Sequence, residues 1–359
     1  MKIEKKHSKT FATEDTILSA TLAQSDEAVL VMSNGDVVRY NFVTDETHTV
    51  STLKDSMGYT DGGFDLTSPI SIYTLDDIIV AVNDFTRHGY IFNPTQKYRL
   101  HLWRGEYYAK ITKYPIALYK DTQQVPHLIY ANDWNHVHIM NLNTRQILTA
   151  AKSLIEQNAE EEHIEFYKTH EESNKLAWPS SYDYFYGGLS VSPDNKYFTS
   201  AGWVWGSFDC CNTYEIEDFI KNNRISDIYT AGGEHVDSPL CWVNNNTIAI
   251  AYDPYAEGDE EATKGSLKEI HLYHIENNSS TLIEKIQMQR QDIEYTKMYF
   301  DTVLNSFILL SKSGEITVIS KSGEIVLQHN DINVTTYNTA TNQALVHGDK
   351  TIAICTLSE

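Results

Sequence analysis

Two histidines one residue apart, His136 and His138 in NDWNHVHIM, come closest to a metal-ligand spacing. Side chains alternate along a strand, so both imidazoles would fall on one face, where they could share a zinc ion. No third ligand is evident, and the question of a metal stays open. His271 and His274 differ by three and would face opposite ways. The segment AEEEHIEF (159–166) lacks the HExxH spacing, and neither a G-x-S-x-G elbow nor a GxxxxGK[ST] phosphate loop occurs. No cofactor is expected. A hydrolytic triad assembled from distant residues would leave no such spacing and remains an alternative.

A second pattern is a repeated carboxylate. AVNDF, YANDW and IAYDPY place Asp84, Asp133 and Asp253 where apolar runs end, each beside an aromatic: Phe85, Trp134, and Tyr252 or Tyr255. Ringed around one opening, these carboxylates would meet a cationic group or a hard metal ion. Asp and Asn also simply end strands and cap turns, and that reading stands beside the first.

The elements that would position these residues are strands. EAVLVMSNGDVVRYNF (27–42) is a hairpin about Asn34-Gly35, and SFILLSKSGEITVISKSGEIVLQ (306–328) is three strands turning at Ser313-Gly314 and Ser322-Gly323. Twenty-three tyrosines suit half-buried pleated surfaces. A unit of four strands recurs at 16–52, 68–104, 114–152, 187–230, 238–288 and 295–329. A seventh, 333–359, has only three strands. If residues 1–13 supply its fourth, the ring closes and no edge is left open. The expected fold is therefore all-β, a single propeller of seven four-stranded antiparallel blades closed by the N-terminal strand. An insertion at 153–186 precedes blade four. Leu154, Ile155 and Ala159 recur in it at helical spacing and predict a helix of two to three turns crossing the rim.

In this frame LSVSPDNKYFTSAGW (189–203) resembles the turn between the first two strands of WD40-like and YVTN-like propeller repeats. VHIMNLNTRQIL (137–148) resembles their third strand, turn and fourth strand. No Gly-His dipeptide opens a blade and no Trp-Asp pair ends a third strand; Asn141-Leu142 stands there in blade three. The resemblance implies a binding scaffold and supplies no catalytic residue.

Composition narrows the partner. With 49 acidic against 28 basic residues the net charge is −21, which opposes nucleic acid. No apolar run approaches the ~20 residues of a membrane span. The four cysteines, Cys210, Cys211, Cys241 and Cys355, contain no CxxC pair and suggest a reducing, cytoplasmic setting. Alternation would bury one of Cys210 and Cys211 and expose the other.

Loops after the second and fourth strands of a blade share one rim, and those after the first and third share the other. The first kind are long (53–67, 105–113, 153–186, 254–268), whereas Ser25-Asp26, Pro193-Asp194-Asn195 and Asn277-Asn278-Ser279 are tight turns. Long loops on a rigid scaffold carry function. The long-loop rim should hold Tyr59, Asp61, Tyr107, Tyr108, Trp178, Tyr182, Tyr184, Tyr186, Trp203 and Trp205, either as a binding face or as packing for the insertion. The expected site is Asp84, Asp133, Trp134, Tyr184, Trp203, Trp205, Asp253 and Tyr255. It serves a non-enzymatic module that docks another protein. The alternative is a small-ligand or cation binder, or a hydrolase, at the channel mouth.

Overall fold

A computed structural model describes residues 1–54, 59–169, 181–206, 208–232, 239–252, 268–289 and 294–358. Its strands form seven separate antiparallel sheets, the blades of a closed ring. Blade one holds β2 (Ile17–Leu22), β3 (Glu27–Met32), β4 (Asp36–Asn41) and β5 (Glu46–Thr52). Blade two holds β6 (Ile70–Leu75), β7 (Ile78–Asn83), β8 (His88–Asn93) and β9 (Tyr98–Trp103). Blade three holds β10 (Ile116–Lys120), β11 (Pro126–Asp133) and β12 (His136–Asn141). Blade four holds β13 (Phe185–Val191), β14 (Tyr197–Val204), β15 (Phe208–Glu215) and β16 (Ile228–Gly232). Blade five holds β17 (Leu240–Asn244), β18 (Thr247–Tyr252), β19 (Glu269–Glu276) and β20 (Ser279–Gln287). Blade six holds β21 (Tyr295–Asp301), β22 (Ser306–Ser311), β23 (Ile316–Ser320) and β24 (Ile325–His329). Blade seven holds β25 (Val334–Asn338), β26 (Gln343–His347) and β27 (Thr351–Ser358), and its outer strand is β1 (Lys2–Thr10).

The second strands read as continuous apolar runs because both of their faces are covered. Ala28, Leu30 and Met32 of β3 enter the seam with blade seven, while Val29 and Val31 enter the seam with blade two. In β22, Phe307 and Leu309 face blade five, and Ile308 and Leu310 face blade seven. Seven apolar clusters result, one in each seam. Burying such side chains stabilises by roughly 1.5–3 kcal/mol each.

The same logic corrects the reading of the adjacent cysteines. Alternation holds: Cys210 joins the seam with blade three and Cys211 the seam with blade five. Both are buried, however, because each face of β15 meets a neighbouring blade.

Blade three departs from four full strands. Its fourth position is a stub: Leu148 N donates to Ile139 O, Asn141 N donates to Gln146 O, and Met140 forms a single bridge with Ile147. The seam is completed from blade four. Helix α2 (Ile216–Lys221) contributes Ile216 and Phe219, which with Ile225 join Val137 and Ile139 of β12 in one cluster. Lys152 caps this arrangement, donating from Nζ to the carbonyls of Phe219, Asn222 and Arg224 at 2.9, 3.0 and 3.1 Å. Helix α1 (Ala159–Thr169) lies a turn later than the spacing predicts, buries no side chain, and starts beside the β15–β16 connection on the tight-turn rim rather than on the long-loop rim it was expected to cross. The segment before it runs beside the β15–β16 connection: Gln157 N donates to Ile225 O, Ile225 N donates to Ile155 O, and Glu160 pairs with Arg224. That connection, 216–227, is a long exception among the turns of its rim.

Closure is made by β1. It pairs antiparallel with β27 from Lys2↔Ser358 to Thr10↔Thr351, with one bulge between Lys5 and His7. Asp26, in the first turn of blade one, ties the two ends together. Its carboxylate accepts from Lys6 Nζ of β1 at 2.9 Å and from Gln343 Nε2 of β26 at 2.8 Å. Burial alone would raise this carboxyl, but the Gln343 and Lys6 contacts outweigh it and hold it below the ordinary value of 3.8.

Removing residues 1–13 should expose the β27 edge, lower the melting temperature and promote aggregation, read by scanning calorimetry and light scattering. Asp26→Asn should cost about 1 kcal/mol in chemical denaturation at pH 7. A depressed folded-state carboxyl adds stability that is fully present above about pH 4 and is lost as pH falls through the lowered value. The difference between Asp26→Asn and the parent should therefore shrink below pH 4.

Candidate functional site

Six aromatic rings from four connected segments meet on the long-loop rim. Phe185 of β13 stacks on Trp203 of β14, centroids 3.7 Å apart and planes within 7°. Trp134, in the β11–β12 turn, lies 4.2 Å from Phe185 on its other side. Tyr107 and Tyr108, from the loop between blades two and three, pack edge-on to Trp134 and Trp203 at 5.8 and 5.1 Å. Trp205, just past β14, closes the group against Tyr107, Tyr108 and Phe185. Phe185 is fully buried at the base, while Tyr107 and Trp205 are each 47% exposed at the top.

Two glycines permit this stack. A Cβ at Gly187 would overlap the Ala201 carbonyl oxygen, and one at Gly202 would overlap the Phe185 carbonyl oxygen and meet the Tyr184 ring. The register of β13 against β14 shifts between Phe185 and Gly188, a bulge that brings Phe185 opposite Trp203. Carboxylates stand beside the rings. Asp133 Oδ1 accepts from Trp134 N at 2.8 Å, Asp183 Oδ1 accepts from Trp205 N at 3.2 Å, and Glu106 is exposed next to Tyr107.

The expected site residues separate into three groups. Asp133, Trp134, Trp203 and Trp205 come together here. Tyr184 does not: it is 0% exposed, and its hydroxyl donates into the carbonyls of Ser200 and Cys210 at 2.7 and 3.1 Å. Tyr182 and Tyr186 are likewise buried in the seam between blades three and four. Alternation in YDYFY sends the three tyrosines to that seam and Phe185 to the rim, so the rim residue was the one not singled out. Asp84 is buried at the end of β7, accepting from Ser71 Oγ at 2.9 Å, away from the aromatic group. Asp253, Tyr255 and Trp178 lie outside the described residues.

Tyr59 and Asp61 serve the loop itself. Asp61 Oδ2 is 2.9 Å from His88 Nε2, and His88 Nδ1 is 2.8 Å from His101 Nε2. An ionised carboxylate only accepts, so His88 donates from Nε2 and accepts at Nδ1 from His101, whose own Nδ1 faces the Tyr59 hydroxyl at 3.5 Å. This chain pins the loop between blades one and two to the outer half of blade two. No sequence spacing announces it, because its members come from three separate segments.

His136 and His138 do share a face, with rings 4.4 Å apart. Burial, then the neighbouring His136, pushes His138 down to about 4, so it is neutral at physiological pH. Among the described residues no group of three or more His, Cys, Asp or Glu is placed to hold a metal ion.

A cavity of about 380 Å³ lies among the innermost strands, with Lys113 and Lys297 in its lining, and the carboxylate of Asp84 is near enough to favour the charged form of Lys297.

Burial, then nearby carboxylates led by Asp209, pushes the Cys210 thiol up to about 12, and burial with the neighbouring Cys210 does the same for Cys211. The thiolate is the reactive form. Native protein at pH 7.5 should therefore resist alkylation at all four cysteines, whereas unfolded protein should label fully; mass spectrometry reads both states. Gly187→Ala should destabilise by about 2 kcal/mol or more and disturb the tryptophan emission, since the stack cannot form at its present spacing.

No family model matches the chain, and no curated protein matches it. Among solved structures 1271 chains match, so the likeness is one of a widespread architecture. One is the WD40 domain of Pan2 from Neurospora crassa, superposing with a TM-score of 0.55 at 8% identity over 98% of this chain and 94% of that one. At that identity the likeness carries the fold alone. No described helix is long and apolar enough to cross a membrane. The chain is a seven-bladed β-propeller of WD40-like architecture.

Proposed function

We propose that the protein is a non-enzymatic binding module that docks a protein partner on its long-loop rim, through Tyr107, Trp134, Trp203 and Trp205. The observation that carries this reading is the six-ring cluster with two half-exposed rings at its top. Tyr and Trp dominate interface hot spots because a large, stiff side chain is desolvated at little entropic cost. Propeller folds of this architecture commonly serve as interaction scaffolds, which fits a rigid ring with its variable loops on one side.

The chemistry of the rim favours a cationic segment of the partner. Asp133, Asp183 and Glu106 flank the rings, and the chain as a whole carries −21. An Arg or Lys over Trp205 or Tyr107 would gain a cation–π contact and a nearby carboxylate. Four free, buried cysteines fit a reducing compartment, and the cytoplasm is the proposed location.

The test compares the two rims. With a partner isolated on the intact protein, Trp205→Ala and Tyr107→Ala should each weaken binding by about 2 kcal/mol, roughly thirtyfold, in calorimetry. Asn245→Ala, in an exposed turn of the opposite rim, should leave affinity unchanged. Loss of affinity on the Asn245 side with none on the tryptophan side would place the docking face wrongly.

A further inference from the structure

Lys297 lines the channel cavity of about 380 Å³, a volume in the range of small-molecule sites. The cavity lies among the first strands of four blades: Tyr73 of β6, Ser190 of β13, Leu240 of β17 and Tyr299 of β21 stand in its wall. A bulge between Tyr295 and Lys297 re-aims the start of β21. Thr296 and Lys297 stay open to the water of the lumen.

The Lys297 amine is lightly engaged. Its Nζ donates a hydrogen bond to the Thr335 carbonyl at 2.6 Å. Lys152 makes the contrast. Its Nζ donates to three carbonyls and sits 4.1 Å from the centre of the Phe219 ring, so the head group is enclosed on every side that matters for attack.

We propose that Lys297 is a nucleophilic amine and that the channel cavity takes a small aldehyde, which Lys297 holds as a Schiff base. Nζ attacks the carbonyl carbon and the N–C bond forms. The carbonyl oxygen leaves as water, carrying both amine hydrogens, and no oxidant or reductant takes part. Apolar wall and neutral hydroxyls suit a compact, uncharged partner.

The electrostatics support a neutral amine. Burial, then the charge of Lys113, lowers Lys297 to about 8. Asp84 favours the charged form and is outweighed, so neither lysine has to be unpaired. His347 is lowered by burial first and also by Lys297, and burial pushes Tyr73 and Tyr299 up. At pH 7 about one Lys297 in ten is then neutral, against fewer than about one in a thousand for an exposed lysine. Lys152 is lowered to about 8 as well, so proton affinity alone does not separate the two.

The test traps imines on the intact protein with propionaldehyde and cyanoborohydride at pH 7, read by peptide mass spectrometry. Lys297 should be modified at least tenfold faster than exposed lysines and than Lys152, and in urea this advantage should vanish. An aldehyde-bearing dextran, too large for the cavity, should label exposed lysines and spare Lys297. Trace acetylation by acetic anhydride from pH 6 to 10 should level off for Lys297 above about pH 8, while exposed lysines go on rising. Trp205→Ala should leave all of this unaltered, which separates the cavity from the docking rim. Trapping of Lys297 no faster than that of exposed lysines, equal trapping of Lys152, or labelling of Lys297 by the dextran would overturn the proposal.

Discussion

Everything in the molecule depends on the ring being closed. An inner strand with apolar side chains on both faces is stable only between two neighbours, and seven blades in a circle give every blade two neighbours. An open ring would leave one seam unpaired and expose its apolar face. Closure here is non-local: β1 at one end of the sequence zips onto β27 at the other, and Asp26 in blade one holds Lys6 and Gln343 of blade seven. The lysines of β1 lie on an outer edge, where charge discourages pairing with another chain.

A closed ring fixes two rims and one channel, and each has a different composition. Tight turns dominate one rim. The other carries long connections, and their aromatic side chains are drawn together because the first and second strands of blade four approach at glycine positions 187 and 202. The bulges in β13 and β21 fall at the long-loop end of their strands. There they lift Phe185 beneath the rim cluster and bring Lys297 into the lumen. Blade three shows the tolerance of the scheme: its outer strand is a stub, and α2 of blade four fills the seam it leaves.

Much of the fold was legible because propeller blades repeat. The hairpin at Asn34-Gly35, the Ser-Gly turns of blade six and the truncated last unit sufficed to place seven blades and their closure. Side-chain exposure was less legible, and for one reason. Strand alternation tells which face a residue joins, but not whether that face meets water. Cys210 and Cys211 do face opposite ways, yet both are buried; Tyr182, Tyr184 and Tyr186 read as rim aromatics and are seam residues instead. The Asp61–His88–His101 chain left no trace in spacing, since it is assembled from segments far apart in sequence. Trp134, Trp203 and Trp205 were found because they sit at or just beyond the ends of second strands, where position alone assigns the rim.

The claim that β1 completes one cooperative ring is tested most directly by native-state hydrogen exchange of the intact protein, followed by mass spectrometry of peptides covering 2–10 and 351–358. The account predicts that amides paired between the two strands, such as those about Ile3↔Leu357 and Lys9↔Ile352, are protected together and open together under rising denaturant. Residues 2–10 exchanging at the rate of an unstructured peptide, while 351–358 stay protected, would contradict it.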